Sequence, residues 1–308
     1  MTTATPPARA RPALPVVLWE SVRPRSLPIA ALSSAVGSMA LLPAQRPQPG
    51  IAALCALLAV LLQCGTNVLN DAEDARTGAD DFPAAGSSLA MRSGWIDSAR
   101  ARVIAALCFV LAGVVGIVIV LLVQKPALLL LGAGALVVGW AYTAWPLRLA
   151  YRPLGELASA LPMGIGIPWG TAAAQAAIVP PSVWWSAVPL ALLTAAILHA
   201  NNARDRAHDA TVGKRTLATF LPPRAVVWEF QVLLIAVPLV ITAGLAVGAL
   251  PIWTALAVIP GLMAVQLSGK ASLSLDGRGW TLLLIATVRL HLLTGLALCA
   301  GFALSLIR

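Results

Sequence analysis

With 59% hydrophobic residues, only 11% charged and a mean hydropathy of +0.86 over 308 residues, the chain is no ordinary water-soluble globule, because such domains are about 25% charged. The net charge of +9 invites a nucleic-acid reading. The basic residues are spaced out between apolar runs, however, and that placement argues for topology in a membrane and against a nucleic-acid partner.

Residues 1–18, MTTATPPARARPALPVVL, are rich in Pro, Ala and Arg and lack a long apolar core before a cleavage site. They read as a disordered cytoplasmic tail, with the membrane domain occupying 19–308. Nine apolar runs follow, at about 27–44, 51–70, 103–123, 126–145, 157–178, 183–200, 230–250, 252–268 and 280–307. They approach the ~20 residues a helix needs to cross a bilayer, and they are continuous where a transmembrane barrel would alternate. The expectation is an all-α polytopic membrane protein with nine transmembrane helices. Of the 21 Lys and Arg residues, all but Arg46, Lys125, Arg289 and Arg308 precede the first run or follow the second, fourth, sixth and eighth. The positive-inside rule then sets the N-terminus in the cytoplasm and the C-terminus outside. Preference for Arg over Lys, with abundant Ala, points to a GC-rich bacterium and hence to its cytoplasmic membrane. Cys55, Cys64, Cys108 and Cys299 lie within apolar runs and carry no disulfide or zinc spacing.

Acidic residues are few and clustered. Of twelve, five stand in NVLNDAEDARTGADD (67–81), closing the second run with Asp71, Glu73, Asp74, Asp80 and Asp81, and Asp205 and Asp209 close the sixth in NNARDRAHDATVGKRT (201–216). Both stretches begin with Asn-x-x-x-Asp, at Asn67/Asp71 and Asn201/Asp205, and four-residue spacing sets each pair on one helical face. The repeated pattern hints at internal duplication. Charges at helix ends are commonly no more than the solvated membrane boundary. Carboxylates clustered at a helix C-terminus, however, oppose its dipole and repel one another, so a cation must compensate them. Oxygen donors from Asp and Asn suit Mg²⁺, which completes its shell with water and phosphate oxygens. Two such clusters facing each other would hold Mg²⁺ around a diphosphate, with Arg23, Arg148, Arg204, Lys214 and Arg215 as candidate clamps that otherwise serve topology.

These residues carry a resemblance. The order Asn-x-x-x-Asp-x-x-Asp, then Asp-x-x-x-Asp, on nine apolar runs resembles the UbiA superfamily of intramembrane prenyltransferases, in its MenA-like branch acting on 1,4-dihydroxy-2-naphthoate. WESVRPRSLP (19–28), NDAEDARTGAD (70–80), AYTAWPLRLAYRPLGE (141–156) and NNARDRAHDATVGKRTLA (201–218) are each similar to a motif of that branch, the last most specifically. The resemblance implies helices around a central prenyl-binding chamber and Mg²⁺-dependent transfer of a polyprenyl group from prenyl diphosphate to an aromatic acceptor in menaquinone biosynthesis. Motif by motif, it implies Asn67, Asp71, Asp74, Asp205 and Asp209 as metal ligands, with Asn70 and Asn201 on the substrate. Arg23, Arg148, Arg204 and Lys214 are further substrate contacts, and Tyr142 shapes or stabilises the cation site.

The chain departs from the pattern at Leu89 in GSSLAMRSG (86–94), where the branch usually has arginine. Leucine offers no donor, and Arg92, three residues on, is the candidate replacement if the segment is helical. His208 reads as a loop histidine. Arg289 and His291 fall within the ninth run, where ionisable residues are functional hypotheses, although Arg289 can also snorkel to the interface. Two rivals stay open: a terpene cyclase of the same superfamily, or prenylation of a different aromatic acceptor. A transporter is disfavoured, because the acidic residues gather at one interface and not at the midplane.

Overall fold

Backbone in lipid must satisfy its own hydrogen bonds, and this chain does so entirely through helices: the computed structural model describes residues 12–77 and 87–307, and among these no strand occurs. A short helix α1 (Leu14–Ser21) precedes α2 (Leu27–Met39). Then come α3 (Pro49–Thr77), the four-residue α4 (Leu89–Arg92), α5 (Ser98–Val123) and α6 (Leu128–Ala141). Next, α7 (Gly155–Ala160) passes through a π-helical stretch, Leu161–Gly166, into α8 (Ile167–Gln175). The long α9 (Pro181–Thr211) is followed by α10 (Leu217–Phe220), α11 (Pro223–Ala246), α12 (Val258–Ser268) and α13 (Gly277–Leu304). Side-chain caps fix several starts: Asp97 accepts from the Arg100 N–H, Thr216 from Thr219 and Asp276 from Gly279.

Each of the nine apolar runs falls on a helical segment. Five helices, α3, α5, α9, α11 and α13, are long and apolar enough to cross a membrane. At 1.5 Å per residue even the 24 residues of α11 extend ~36 Å. The other four runs give shorter or broken helices. The 157–178 run is interrupted at Leu161–Gly166, where Pro162 lacks an N–H, and the 252–268 run begins as a 3₁₀ helix, Ile252–Ala257. Asp80, Asp81, Arg9, Arg11, Arg308 and most of the 1–18 tail lie outside the described residues.

Between lipid-embedded helices there is no hydrophobic driving force, so close packing of small residues has to hold the bundle. α9 is its axis. Leu190, Leu193, Ala196 and Ala200 pack with Phe230, Leu234, Val237 and Ile241 of α11, a stripe at helical spacing, and with Leu290, Leu298 and Phe302 of α13. On another face Gly164 touches the α9 backbone so closely that a Cβ there would sit 2.1 Å from the Ala191 Cα, which pins the broken helix to α9. A second cluster joins Val68, Leu69 and Ala72 of α3 to Ala101, Ala105 and Phe109 of α5. Between α3, α5, α6, the broken helix and α9 lies a cavity of about 880 Å³.

Candidate active site

The cavity wall has two parts. Its deep part is apolar, built from residues such as Leu58, Leu62, Ile117, Val120 and Leu131. Its mouth is lined by Asn67, Asn70 and Asp74 of α3, and by Asn201, Asn202, Asp205, His208 and Asp209 of α9, with Arg23 and Lys214. The two acidic stretches, some 130 positions apart in sequence, therefore face each other. Lys214 measures their approach: its Nζ lies 3.9 Å from Asp74 Oδ1 and 3.9 Å from Asp209 Oδ1. The turn after α9 delivers it there, with Gly213 at φ +74° and the Lys214 N–H donating to the Asp209 carbonyl.

Each carboxylate is held differently. Asp74 accepts from Asn70 Nδ2 at 2.9 Å on one oxygen and from the Tyr151 hydroxyl on the other. Asp205 is gripped by Arg204 through two bonds, Nε to Oδ1 at 2.7 Å and a shorter one to Oδ2, while the same guanidinium donates to Asn201 Oδ1 at 2.9 Å. Asp209 is buried, and its Oδ2 has no hydrogen-bond partner. A buried carboxylate oxygen without a partner is costly, and Asp209 is one of several oxygen-bearing side chains that line the mouth. Among the described residues no three His, Cys, Asp or Glu side chains converge on a single point. A Mg²⁺ ion needs only one or two carboxylates from the protein and fills its octahedron with water and phosphate oxygens.

Asp71 stands one layer back. It is fully buried off the cavity wall, with one oxygen on Arg23 and the other accepting from the Ser88 N–H at 2.9 Å. Arg23, in the left-handed region at φ 54°, is thereby fixed at the mouth, helped by Asn67, whose amide donates to the Val22 carbonyl at 3.0 Å and Ser26 Oγ at 2.8 Å. Arg148 does not line the cavity: with Arg102 and Arg76 it pairs the buried Glu73, at 3.4 Å. Tyr142 lines the cavity. Arg92 does lie on a helix with Leu89, but it is exposed and does not line the cavity. His291 is fully buried in α13 and Arg289 exposed on it, both away from the cavity wall.

Residues 30–276 fit the UbiA prenyltransferase family. The chain belongs to that family. It is a prenyltransferase. Among its UbiA relatives, the 1,4-dihydroxy-2-naphthoate octaprenyltransferase of Mycobacterium tuberculosis is 31% identical over 268 residues, covering 84% of this chain and 88% of that protein. The enzyme of the same description from Haemophilus influenzae is 31% identical over 211 residues, covering 66% and 68%. The fold is shared with a UbiA homolog from Aeropyrum pernix K1, at TM-score 0.70 and 18% identity over 91% of this chain and 98% of that one. It is shared too with the Archaeoglobus fulgidus UbiA homolog bound to GPP and Mg²⁺, at 0.64 and 17% over 92% and 99%.

Around the cavity stand residues to which the sequence reading gave no role, although Tyr151 and Glu156 fall within the 141–156 motif. Tyr151, one of only two tyrosines in the chain, donates to Asp74 and lies beneath two cations, Arg148 at 5.5 Å and Lys214 at 5.2 Å from its ring centroid. Its carbonyl accepts from the Arg215 N–H, tying the 142–154 loop to the segment after α9. Behind Asn202, Glu156 accepts that residue's amide at 2.9 Å and lies 3.6 Å from His199, which is fully buried and 3.5 Å from Glu229. An ionisable His inside an apolar run was the available signal.

Proposed function

We propose that the protein transfers a polyprenyl group from prenyl diphosphate to a dihydroxynaphthoate in a Mg²⁺-dependent reaction of menaquinone synthesis, in a bacterial cytoplasmic membrane with the site facing the cytoplasm. The observation that carries this reading is the apposition of Asp74 and Asp209 across Lys214, at the mouth of an otherwise apolar cavity. An amphiphile with a diphosphate head and a hydrocarbon tail has the matching division. The naphthoate acceptor is supported by what the relatives are named for, and Mg²⁺ by the ion in the Archaeoglobus homolog.

Asp74, Asp205 and Asp209, with Asn67 and Asn70, are the residues that would hold the metal. Bound Mg²⁺ supplies positive charge that stabilises the departing diphosphate. Arg23 and Lys214 add fixed charge to the same group, already oriented by Asp71 and by the turn after α9. Arg204 keeps Asp205 and Asn201 in register. The deep apolar wall holds the prenyl tail and excludes water from the allylic carbon, so that as its C–O bond to diphosphate breaks the acceptor ring carbon captures it. That ring carbon then regains aromaticity by losing the group it carried, a proton to an oxygen base at the mouth or a carboxylate as CO₂. Tyr142, at the edge of that wall, presents an electron-rich ring to the developing allylic charge.

The test is an assay of the purified protein with labelled geranyl diphosphate, Mg²⁺ and a panel of naphthoates and benzoates. A prenylated dihydroxynaphthoate is expected. A cyclised hydrocarbon, or prenylation of a non-acidic ring alone, would refute the acceptor.

A further inference from the structure

Between the charged mouth and the apolar chamber lies a narrow uncharged polar tier. On α3 the cavity-lining positions run Gln63, Thr66, Asn67, Asn70 and Asp74, one continuous stripe at helical spacing. Gln63 is one turn, ~6 Å of rise, inward of Asn67. Its Nε2 donates to Asn67 Oδ1 at 2.9 Å. An amide nitrogen committed in this way leaves the Gln63 carbonyl oxygen as an acceptor on a wall that is otherwise turning apolar. Thr66 borders the same tier from beside α6: a Cβ built on Gly139 would come within 3.2 Å of Thr66 Oγ1. Tyr142, three residues beyond Gly139, also lines the cavity.

The reaction dictates what occupies this tier. The allylic carbon is bonded to the diphosphate and the tail runs inward, while reacting atoms must approach to about 3–3.5 Å. An acceptor ring that meets the allylic carbon from its inner side would lie at the level of Gln63 and Thr66. Both side chains are uncharged. They cannot neutralise an acceptor carboxylate, which is left to the basic residues at the mouth, but they match ring hydroxyls in hydrogen-bonding character.

We propose that Gln63 and Thr66 recognise the ring hydroxyls of the aromatic acceptor and so select a hydroxyl-bearing naphthalene. This deepens, and rests on, the prenyl-transfer reading above. Gln63 is bonded to Asn67, so the same amide that meets the acceptor also braces a residue of the diphosphate tier and couples the two subsites.

The test removes a hydroxyl from the ligand and its partner from the protein. Transfer is measured with 1,4-dihydroxy-2-naphthoate and with 1-hydroxy-2-naphthoate in the wild type, Gln63→Leu, Gln63→Asn and Thr66→Val. The wild type is expected to favour the diol by ~10-fold or more in kcat/KM, the scale of one hydrogen bond that would otherwise leave a polar group unpaired. In Gln63→Leu or Thr66→Val that ratio is expected to collapse towards one. If both acceptors lose activity by the same factor in every variant, or if the ratio survives in all of them, the residues only support Asn67 and the proposal is overturned. A wild type that releases diphosphate but does not discriminate overturns it as well. A wild type that turns over no prenyl diphosphate fails the prenyl-transfer reading itself, and this inference with it.

Discussion

Lys214 gives a prediction in which two readouts move in opposite directions. Its ammonium lies 3.9 Å from a carboxylate oxygen on each of the two facing helices, and its side chain is only 13% exposed. At an effective dielectric near 20, unit charges about 4 Å apart attract by ~4 kcal/mol, so the two contacts give a gross attraction of ~8 kcal/mol. Most of that offsets the desolvation of three ions. A net effect of ~1–2 kcal/mol remains, or about 5–30-fold in an equilibrium constant. In Lys214→Met the resting site becomes more negative by one charge while the proposed diphosphate contact is lost. Mg²⁺ alone should therefore bind about 5–30-fold more tightly by calorimetric titration, while the KM for geranyl diphosphate rises by a similar factor. Parallel weakening of both, or no change in either, would refute the placement of Lys214 between the two acidic stretches and the diphosphate.

Tyr151→Phe keeps the ring beneath Arg148 and Lys214 but removes the hydrogen bond to Asp74, and turnover should fall ~5–10-fold, with a larger loss in Tyr151→Leu, as steady-state kinetics will show. Glu73→Gln leaves Arg76, Arg102 and Arg148 without their shared carboxylate, and because these arginines are partly exposed the protein should lose ~1 kcal/mol and unfold at a slightly lower temperature in detergent. In a cysteine-free background, cysteines at the exposed positions Ala99 and Ala210 should both react with impermeant reagent from the cytoplasmic side, and one at Gln48 only from outside.

The sequence made the helices legible because a run of ~20 apolar residues has few other stable forms in a bilayer. Each run recurs as a helical segment. Pro162 is a sequence cue to the interruption at Leu161–Gly166, but the close fit of Gly164 against Ala191 of α9, more than twenty residues away, has none. At the site, the pairing of the two acidic stretches was readable from their shared Asn-x-x-x-Asp spacing and from the need for a compensating cation. Which carboxylates line the cavity was not. Four-residue spacing sets Asn67 and Asp71 side by side, but the cavity selects the neighbouring stripe Gln63, Asn67, Asn70 and Asp74, and Asp71 turns to Arg23 and Ser88. The Glu73 partner of Arg148 was not legible either, since the left-handed backbone at Arg148 itself, φ 44°, is what brings the side chain there. Leu89 and Arg92 do share a short helix, and only the three-dimensional path shows Arg92 exposed outside the cavity.

The measurement closest to the central claim is Mg²⁺-dependent release of diphosphate from labelled geranyl diphosphate in the presence of dihydroxynaphthoate, compared among wild type, Asp74→Asn and Asp209→Asn. If the two facing stretches jointly hold metal and diphosphate, wild-type release depends on Mg²⁺ and is abolished by chelation. Each variant then folds and inserts normally but loses ~100-fold or more of the rate, the scale of removing one electrostatic element from such a site. Near-normal release by either well-folded variant, or release by the wild type that chelation does not touch, would contradict the account.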